Sequence, residues 1–141
     1  KSTSGTCHFL GHSLVSWFSK KQNTVSLSTT EAEYISAALA CSQVIYMQQT
    51  LKDFGLTITK SPIYCDNTSA INLSKNPTHH ARTKHIDIRH HFLRDNISKE
   101  VITLEYINTE KQIADILTKP LNEQNFTKFR RELGICSLTE I

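Results

Sequence analysis

The sequence contains few of the residues that interrupt regular structure. Its 141 residues include only 4 Gly and 3 Pro, while 38% are hydrophobic, which argues against a disordered or fibrous chain. No apolar run approaches the roughly 18 residues that a membrane-spanning helix requires, and no signal segment opens the chain. We therefore expect a cytoplasmic chain with no membrane partner.

Cysteine pairs at close spacing are also absent. The four cysteines have no C-x-x-C spacing and lie beside apolar residues: Cys7, Cys41, Cys65 and Cys136. This pattern predicts reduced and mostly buried thiols rather than a disulfide scaffold.

Positive charge is modest overall but concentrated in one segment. The net charge is +3, yet residues 75–94 hold five basic residues and one acid, so this window carries +4 and the rest of the chain −1. Five of the seven histidines also lie in this window. Such a local excess is compatible with nucleic-acid backbone binding.

Two other interpretations of residues 75–94, which we name the basic segment, stay open at this point. A zinc site is disfavoured because His80, His85 and His90 are five residues apart, not four as in a helical histidine pair, and no cysteine pair is near. A solvated surface, with some histidines in local hydrogen bonds, is the plainer alternative.

Hydrophobic periodicity predicts a mixed α/β fold in a single domain spanning residues 1–141. The predicted strands are 6–10 and 13–18, which form an antiparallel hairpin, then 24–27, 62–65 and 101–107. The predicted helices are 29–54, 67–74, 86–97, a helix from residue 109 that Pro120 ends, and 123–133. The strand–helix–strand order after residue 62 predicts a parallel crossover.

Three acids occupy positions unlike those of ordinary surface acids. Asp66 directly follows an apolar strand, where open α/β sheets bind ligands. Glu33 lies in the first turns of the long helix, and Asp115 lies between aliphatic residues. Glu31 and Glu33 are about 200° apart on a helix, so only one of them can face a given site. The carboxylates of Glu33, Asp66 and Asp115 could together bind a hard cation such as Mg²⁺.

Each of these acids also has an ordinary explanation. Asp66 could cap the following helix, Glu33 could interact with the helix dipole, and Asp115 could lie on a solvated helix face. Taken singly, none of the three acids predicts a site.

Six ordered segments over nearly the whole chain resemble the ribonuclease H domain at the end of the Pol polyprotein of copia-type LTR retrotransposons. They are KSTSG (1–5), VSWFSKKQ (15–22), LSTTEAEY (27–34), YCDN (64–67), RTKHIDIR (82–89) and QIADILTKPL (112–121). The resemblance implies a ribonuclease H-like fold, a five-stranded mixed sheet flanked by helices. It also implies hydrolysis of the RNA strand of an RNA–DNA hybrid with two Mg²⁺ (or Mn²⁺) ions, inside a retrotransposon particle, with a covalently linked upstream reverse transcriptase.

The resemblance assigns catalytic and metal-binding roles to Glu33, Asp66 and Asp115. Our hypothesis for the basic segment is that Arg82, Lys84, His85 and Arg89 contact the hybrid backbone.

The family's first catalytic Asp lies on a first strand that would precede Lys1, and no acid precedes Glu31 here. We therefore expect the first strand and one metal ligand to be missing, and the activity to be impaired. The alternative is an inactive nucleic-acid-binding or structural module, or a decayed fragment of an element.

Overall fold

The first strands of the chain form an antiparallel hairpin, and the later strands form a parallel pair. A computed structural model describes residues 2–23, 25–26, 28–75 and 84–140. The strands described there are β1 (Thr3–Leu10), β2 (Ser13–Lys21), β3 (Ser61–Cys65) and β4 (Ile102–Tyr106). The α-helices are α1 (Thr29–Asp53), α2 (Thr68–Lys75), α3 (Lys84–Ser98) and α4 (Glu123–Leu133).

These elements divide into two compact units. The first unit falls within Lys1–Val25 and Lys111–Ile141, and the second is Ser26–Glu110. The single domain over residues 1–141 stays a prediction. The mixed α/β class is confirmed, because the two units combine an antiparallel and a parallel strand pair with helices, an arrangement consistent with a ribonuclease H-like fold.

The first unit is organised around the β1–β2 hairpin. Gly11 in the turn has a φ of 63°, a left-handed conformation that glycine adopts without strain. A short 3₁₀ helix, Ile113–Leu117, packs on β1, and the Ser19 hydroxyl donates a hydrogen bond to the Leu117 carbonyl. Helix α4 contacts this 3₁₀ helix and ends at Gly134, which has a φ of 79°.

The second unit is organised around helix α1, which packs against β3, α2 and α3. Ser28 caps the helix, since its hydroxyl accepts the N–H of Glu31 at 3.1 Å. The core residues of this unit come from all of its regular elements: Tyr34, Ala37, Cys41, Cys65, Ala70, Ile71, Leu93, Ile102 and Leu104. The parallel pair β3–β4 is joined by a crossover through α2 and α3, as the sequence predicts.

Two predicted elements are wrong. Val25 and Ser26 lie in no strand, and Val25 is exposed; the other two residues of the predicted strand 24–27 lie outside the described part. The helix predicted from residue 109 is instead two 3₁₀ segments, Thr109–Lys111 and Ile113–Leu117. The physical reason is the backbone of Gln112, whose extended conformation (φ −79°, ψ 95°) interrupts any helical path between them.

The other predicted helices and strands are confirmed, with ends that differ by a few residues. Among the described residues, we find no helix that is both long enough and apolar enough to cross a bilayer.

We predict that Gly5→Ala destabilises the first unit by about 1–3 kcal/mol. An alanine Cβ at this position would lie 2.6 Å from Thr118 Cγ2 and 2.9 Å from Leu117 Cβ, so the 3₁₀ helix would have to move away from β1. Urea denaturation measures the effect.

The matched control is the double variant Gly5→Ala with Thr118→Ser, which removes the nearest methyl group. It should recover part of the loss. Equal stability of Gly5→Ala and the natural chain would contradict the close packing.

Candidate acidic site at the end of strand β3

Strand β3 ends in a buried residue directly before Asp66. The Cys65 side chain is only 5% exposed and belongs to the core of the second unit. The Cys65 carbonyl accepts the N–H of Ile107 at 3.0 Å, so the parallel ladder with β4 continues to the end of the strand. The chain leaves the sheet at Asp66, at the carboxyl edge where the sequence places a ligand site.

The cap of helix α2 is Asn67 and not Asp66. The side-chain oxygen of Asn67 accepts the N–H of Ala70 at 2.9 Å, and its carbonyl accepts the N–H of Ile71 at 3.2 Å. The interpretation of Asp66 as a helix cap is therefore wrong, because its neighbour supplies the capping oxygen. The Asp66 carboxylate is not needed for that role.

Two contacts indicate that helix α1 runs antiparallel to β3: Gln48 bonds to Ser61 at the start of the strand, and the charge of Glu33 acts on Cys65 at its end. Gln48 anchors the other end, since its amide donates to the Ser61 hydroxyl at 2.8 Å and to the Val101 carbonyl at 2.9 Å. The 15 residues from Gln48 back to Glu33 span roughly 22 Å of helix. The 5 residues from Ser61 to Asp66 span roughly 16 Å of strand, so Glu33 reaches the carboxyl end of β3.

The helical period also turns Glu33 towards the strand. Glu33, Ala37 and Cys41 are four residues apart along α1, and such residues share one helix face. Ala37 and Cys41 are buried in the same core cluster as Cys65. Glu33 is half-buried at the end of this row of small side chains.

Glu31 has a different position on the same helix. It lies in the first turn, where its backbone N–H is capped by Ser28 and its charge interacts favourably with the helix dipole. The helix dipole therefore explains the position of Glu31. Packing explains the orientation of Glu33 towards β3.

The charges of both acids act on the same thiol. The pKa of Cys65 is raised to about 11, first by burial and then by the negative charges of Glu33 and Asp66. Two of the three acids identified in the sequence therefore each lie near Cys65, at the end of β3. We name this pair, Glu33 and Asp66, the acidic pair.

Asp115 lies in the first unit, in the 3₁₀ helix Ile113–Leu117. Its side chain is 14% exposed, and its Oδ2 lies 3.0 Å from Nζ of the exposed Lys119. The interpretation of Asp115 as a solvated residue on a helix face is wrong, because it is largely shielded, ion-paired and not in an α-helix. Its role as a metal ligand stays a prediction.

Sequence reasoning missed Lys119, although an acid and a lysine four residues apart are a recognisable signal for such a pair.

The basic segment is described only in part. Arg82 lies outside the described residues, as do His79 and His80, while Lys84 and His85 begin α3 with side chains outside the description. Arg89 is half-buried on α3. The contacts predicted for Arg82, Lys84, His85 and Arg89 therefore stay predictions.

The acidic pair offers oxygen ligands of the kind that Mg²⁺ binds, and protein sites for this ion often use one or two carboxylates together with water and phosphate. Within the described part of the chain, no group of three or more His, Cys, Asp or Glu side chains is arranged to hold a metal ion. The acidic pair supplies two such carboxylates, and an ion held by them would need further ligands.

Comparison with known proteins shows that the chain is homologous to one region of transposon Pol polyproteins. It is 42% identical over 135 residues to the retrovirus-related Pol polyprotein from transposon RE1 of Arabidopsis thaliana, a match covering 95% of this chain and 9% of the relative. It is 40% identical over 137 residues to the corresponding polyprotein from transposon TNT 1-94 of Nicotiana tabacum, covering 97% and 10%.

A more distant relative is the transposon Ty1-NL2 Gag-Pol polyprotein of Saccharomyces cerevisiae, which is 30% identical over 131 residues, 89% of this chain and 7% of the relative. The chain thus spans about a tenth or less of the length of these relatives. No protein-family model matches the chain. No solved structure matches it either.

We predict that Glu33→Gln and Asp66→Asn each lower the pKa of Cys65, because each substitution removes a negative charge that disfavours the thiolate. The pH dependence of Cys65 alkylation, followed by mass spectrometry of the labelled peptide with EDTA present, measures this pKa.

The control variant is Glu31→Gln, which removes the same charge from the same helix in a different direction. It should leave the alkylation profile of Cys65 nearly unchanged. If all three variants shifted the profile equally, Glu33 would have no special proximity to the thiol.

Proposed function

We propose that this chain is the RNA–DNA hybrid ribonuclease region of a retrotransposon Pol polyprotein and hydrolyses the RNA strand of the hybrid. The observation that carries the proposal is the acidic pair at the end of β3, in a chain homologous to transposon Pol polyproteins. The six sequence segments that resemble ribonuclease H support it, since they include both members of the pair.

Glu33 and Asp66 would hold Mg²⁺ or Mn²⁺, and for Asp115 we retain the metal-binding role that the sequence resemblance implies. When bound, two such ions supply an activated water and a stabilised leaving 3′ oxygen. The chain's own contribution is to fix the carboxylates on rigid elements: Asp66 at the end of a paired strand and Glu33 on a capped helix. Carboxylates held in this way need little reorganisation when the substrate phosphate arrives.

The proposed substrate is recognised mainly through its backbone. Arg82, Lys84, His85 and Arg89 would contact phosphates, which gives affinity without base specificity. A hybrid is distinguished by its shape and its 2′-hydroxyl groups, so polar side chains suffice for recognition. The covalent partner would be an upstream reverse transcriptase, and the site of action a retrotransposon particle.

The second candidate is a catalytically inactive nucleic-acid-binding or structural module. The basic segment supports this candidate equally well, because binding a nucleic-acid backbone requires no catalytic acid. The two candidates share the basic segment and differ in hydrolysis.

We predict that the chain, expressed together with the residues encoded directly upstream of Lys1, cuts the RNA of a labelled RNA–DNA hybrid when Mg²⁺ is present. Asp66→Asn should abolish the cleavage, and Glu33→Gln should slow it at least about a hundredfold, because each removes a carboxylate that would hold the cations that stabilise charge at the reacting phosphate. Gel analysis of the end-labelled RNA measures the rate.

Glu31→Gln is the matched control and should cut at nearly the natural rate. Persistent cleavage by Asp66→Asn would contradict the metal-site assignment. Hybrid binding without any cleavage by the unsubstituted protein would favour the inactive module.

A further inference from the structure

Strand β4 ends in an aromatic residue beside the acidic pair. Tyr106 is the last residue of β4 and stands opposite Cys65 in the parallel register. Neighbouring strands are about 4.8 Å apart, so the side chains of Tyr106 and Cys65 emerge side by side. Cys65 precedes Asp66 directly, which places Tyr106 at the same edge of the sheet.

The register also identifies the face of the sheet on which Tyr106 lies. Ile102 and Leu104 alternate with Thr103 and Glu105 along β4, and the first two are buried in the core of the second unit. Tyr106 continues the row of Ile102 and Leu104, since strand side chains alternate with a period of two. Tyr106 is 56% exposed, whereas Ile102 and Leu104 are buried. The core face of the sheet therefore opens to solvent at the end of β4.

A second tyrosine on the neighbouring strand provides a comparison. Tyr64 on β3 is paired with Glu105 and is 54% exposed, nearly the same as Tyr106. Its neighbour Cys65 lies in the core, so Tyr64 emerges on the opposite face of the sheet, away from α1. The two tyrosines thus match in residue type, exposure and sheet, and they differ in the face they occupy.

We propose that Tyr106 is a nucleotide-contacting residue, whose ring packs against the sugar or base adjoining the phosphate that the acidic pair receives. This inference rests on the proposed function, because it takes a nucleic-acid strand to be the ligand at this edge. It adds an apolar contact that neither the acids nor the basic segment provides.

The chemistry of the edge explains why an aromatic ring is useful there. Without a bound cation, two carboxylates repel a phosphate strand, so other groups must contribute to the affinity of this edge for nucleic acid. An aromatic ring is uncharged and contacts any sugar or base through its face, independent of sequence. On the last residue of a paired strand, such a ring is held in place at little cost in side-chain entropy.

The test compares Tyr106→Leu with Tyr64→Leu in the chain carrying its upstream residues. Leucine keeps an apolar side chain and removes the ring. Binding of a fluorescent RNA–DNA hybrid is measured with Ca²⁺ in place of Mg²⁺, so that affinity is read without hydrolysis. Thermal unfolding of each variant separates loss of binding from loss of fold.

We expect Tyr106→Leu to weaken hybrid binding at least about fivefold, the lower end of the effect of removing a stacking ring. Tyr106→Phe should bind the hybrid about as tightly as the natural chain does, since it retains the ring. Tyr64→Leu should bind nearly as the natural chain does.

Equal binding by Tyr106→Leu and Tyr64→Leu would overturn the inference, as would a failure of Tyr106→Phe to restore affinity. The outcome is separable from that of the proposed function. If the protein cleaves the hybrid fully and Tyr106→Leu binds it normally, only the inference about Tyr106 is wrong. If the protein never cleaves the hybrid but Tyr106→Leu specifically weakens binding, the inference about Tyr106 holds and the proposed ribonuclease activity is wrong.

Discussion

The hydrogen bond from the Ile107 N–H to the Cys65 carbonyl, 3.0 Å long, completes the ladder between β3 and β4 one residue before Asp66. It holds the carboxyl end of β3 against the sheet, while the burial of Cys65 holds the same residue against the core. With its preceding residue fixed on both sides, Asp66 leaves the strand in a defined direction. The position of the candidate site depends on this constraint.

Helix α1 is positioned by the same sheet at two points. Gln48 bonds to the residues that begin β3 and precede β4, and the small side chains of Ala37 and Cys41 pack at the strand. The helix therefore brings a half-buried carboxylate, Glu33, to the carboxyl end of β3. The charges of Glu33 and Asp66 both disfavour the Cys65 thiolate, so negative charge is concentrated at this end of the strand. A divalent cation bound by both carboxylates would neutralise this charge, which is the physical reason for proposing a metal site here.

Much of this site is predictable from the sequence, because it depends on local patterns. An apolar run followed by Asp66 predicts an acid at a strand end, and the 3.6-residue period separates Glu33 from Glu31. The competition between Asp66 and Asn67 for the cap of α2 is not predictable, since both residue types cap helices well. The interruption at Gln112 is not predictable either, because apolar spacing alone does not distinguish one α-helix from two 3₁₀ segments. The place of Tyr106 beside Cys65 requires the strand register, which no local pattern contains.

We propose that Glu33 and Asp66 together form a site for a divalent cation. Titration of the isotopically labelled chain with Mn²⁺, followed by nuclear magnetic resonance, tests it directly, because a bound Mn²⁺ broadens the signals of nearby nuclei. We predict that the amide signals of Glu33, Cys65 and Asp66 broaden first, and that Asp66→Asn removes this selectivity. Broadening centred on another part of the chain, or unchanged by Asp66→Asn, would contradict the claim.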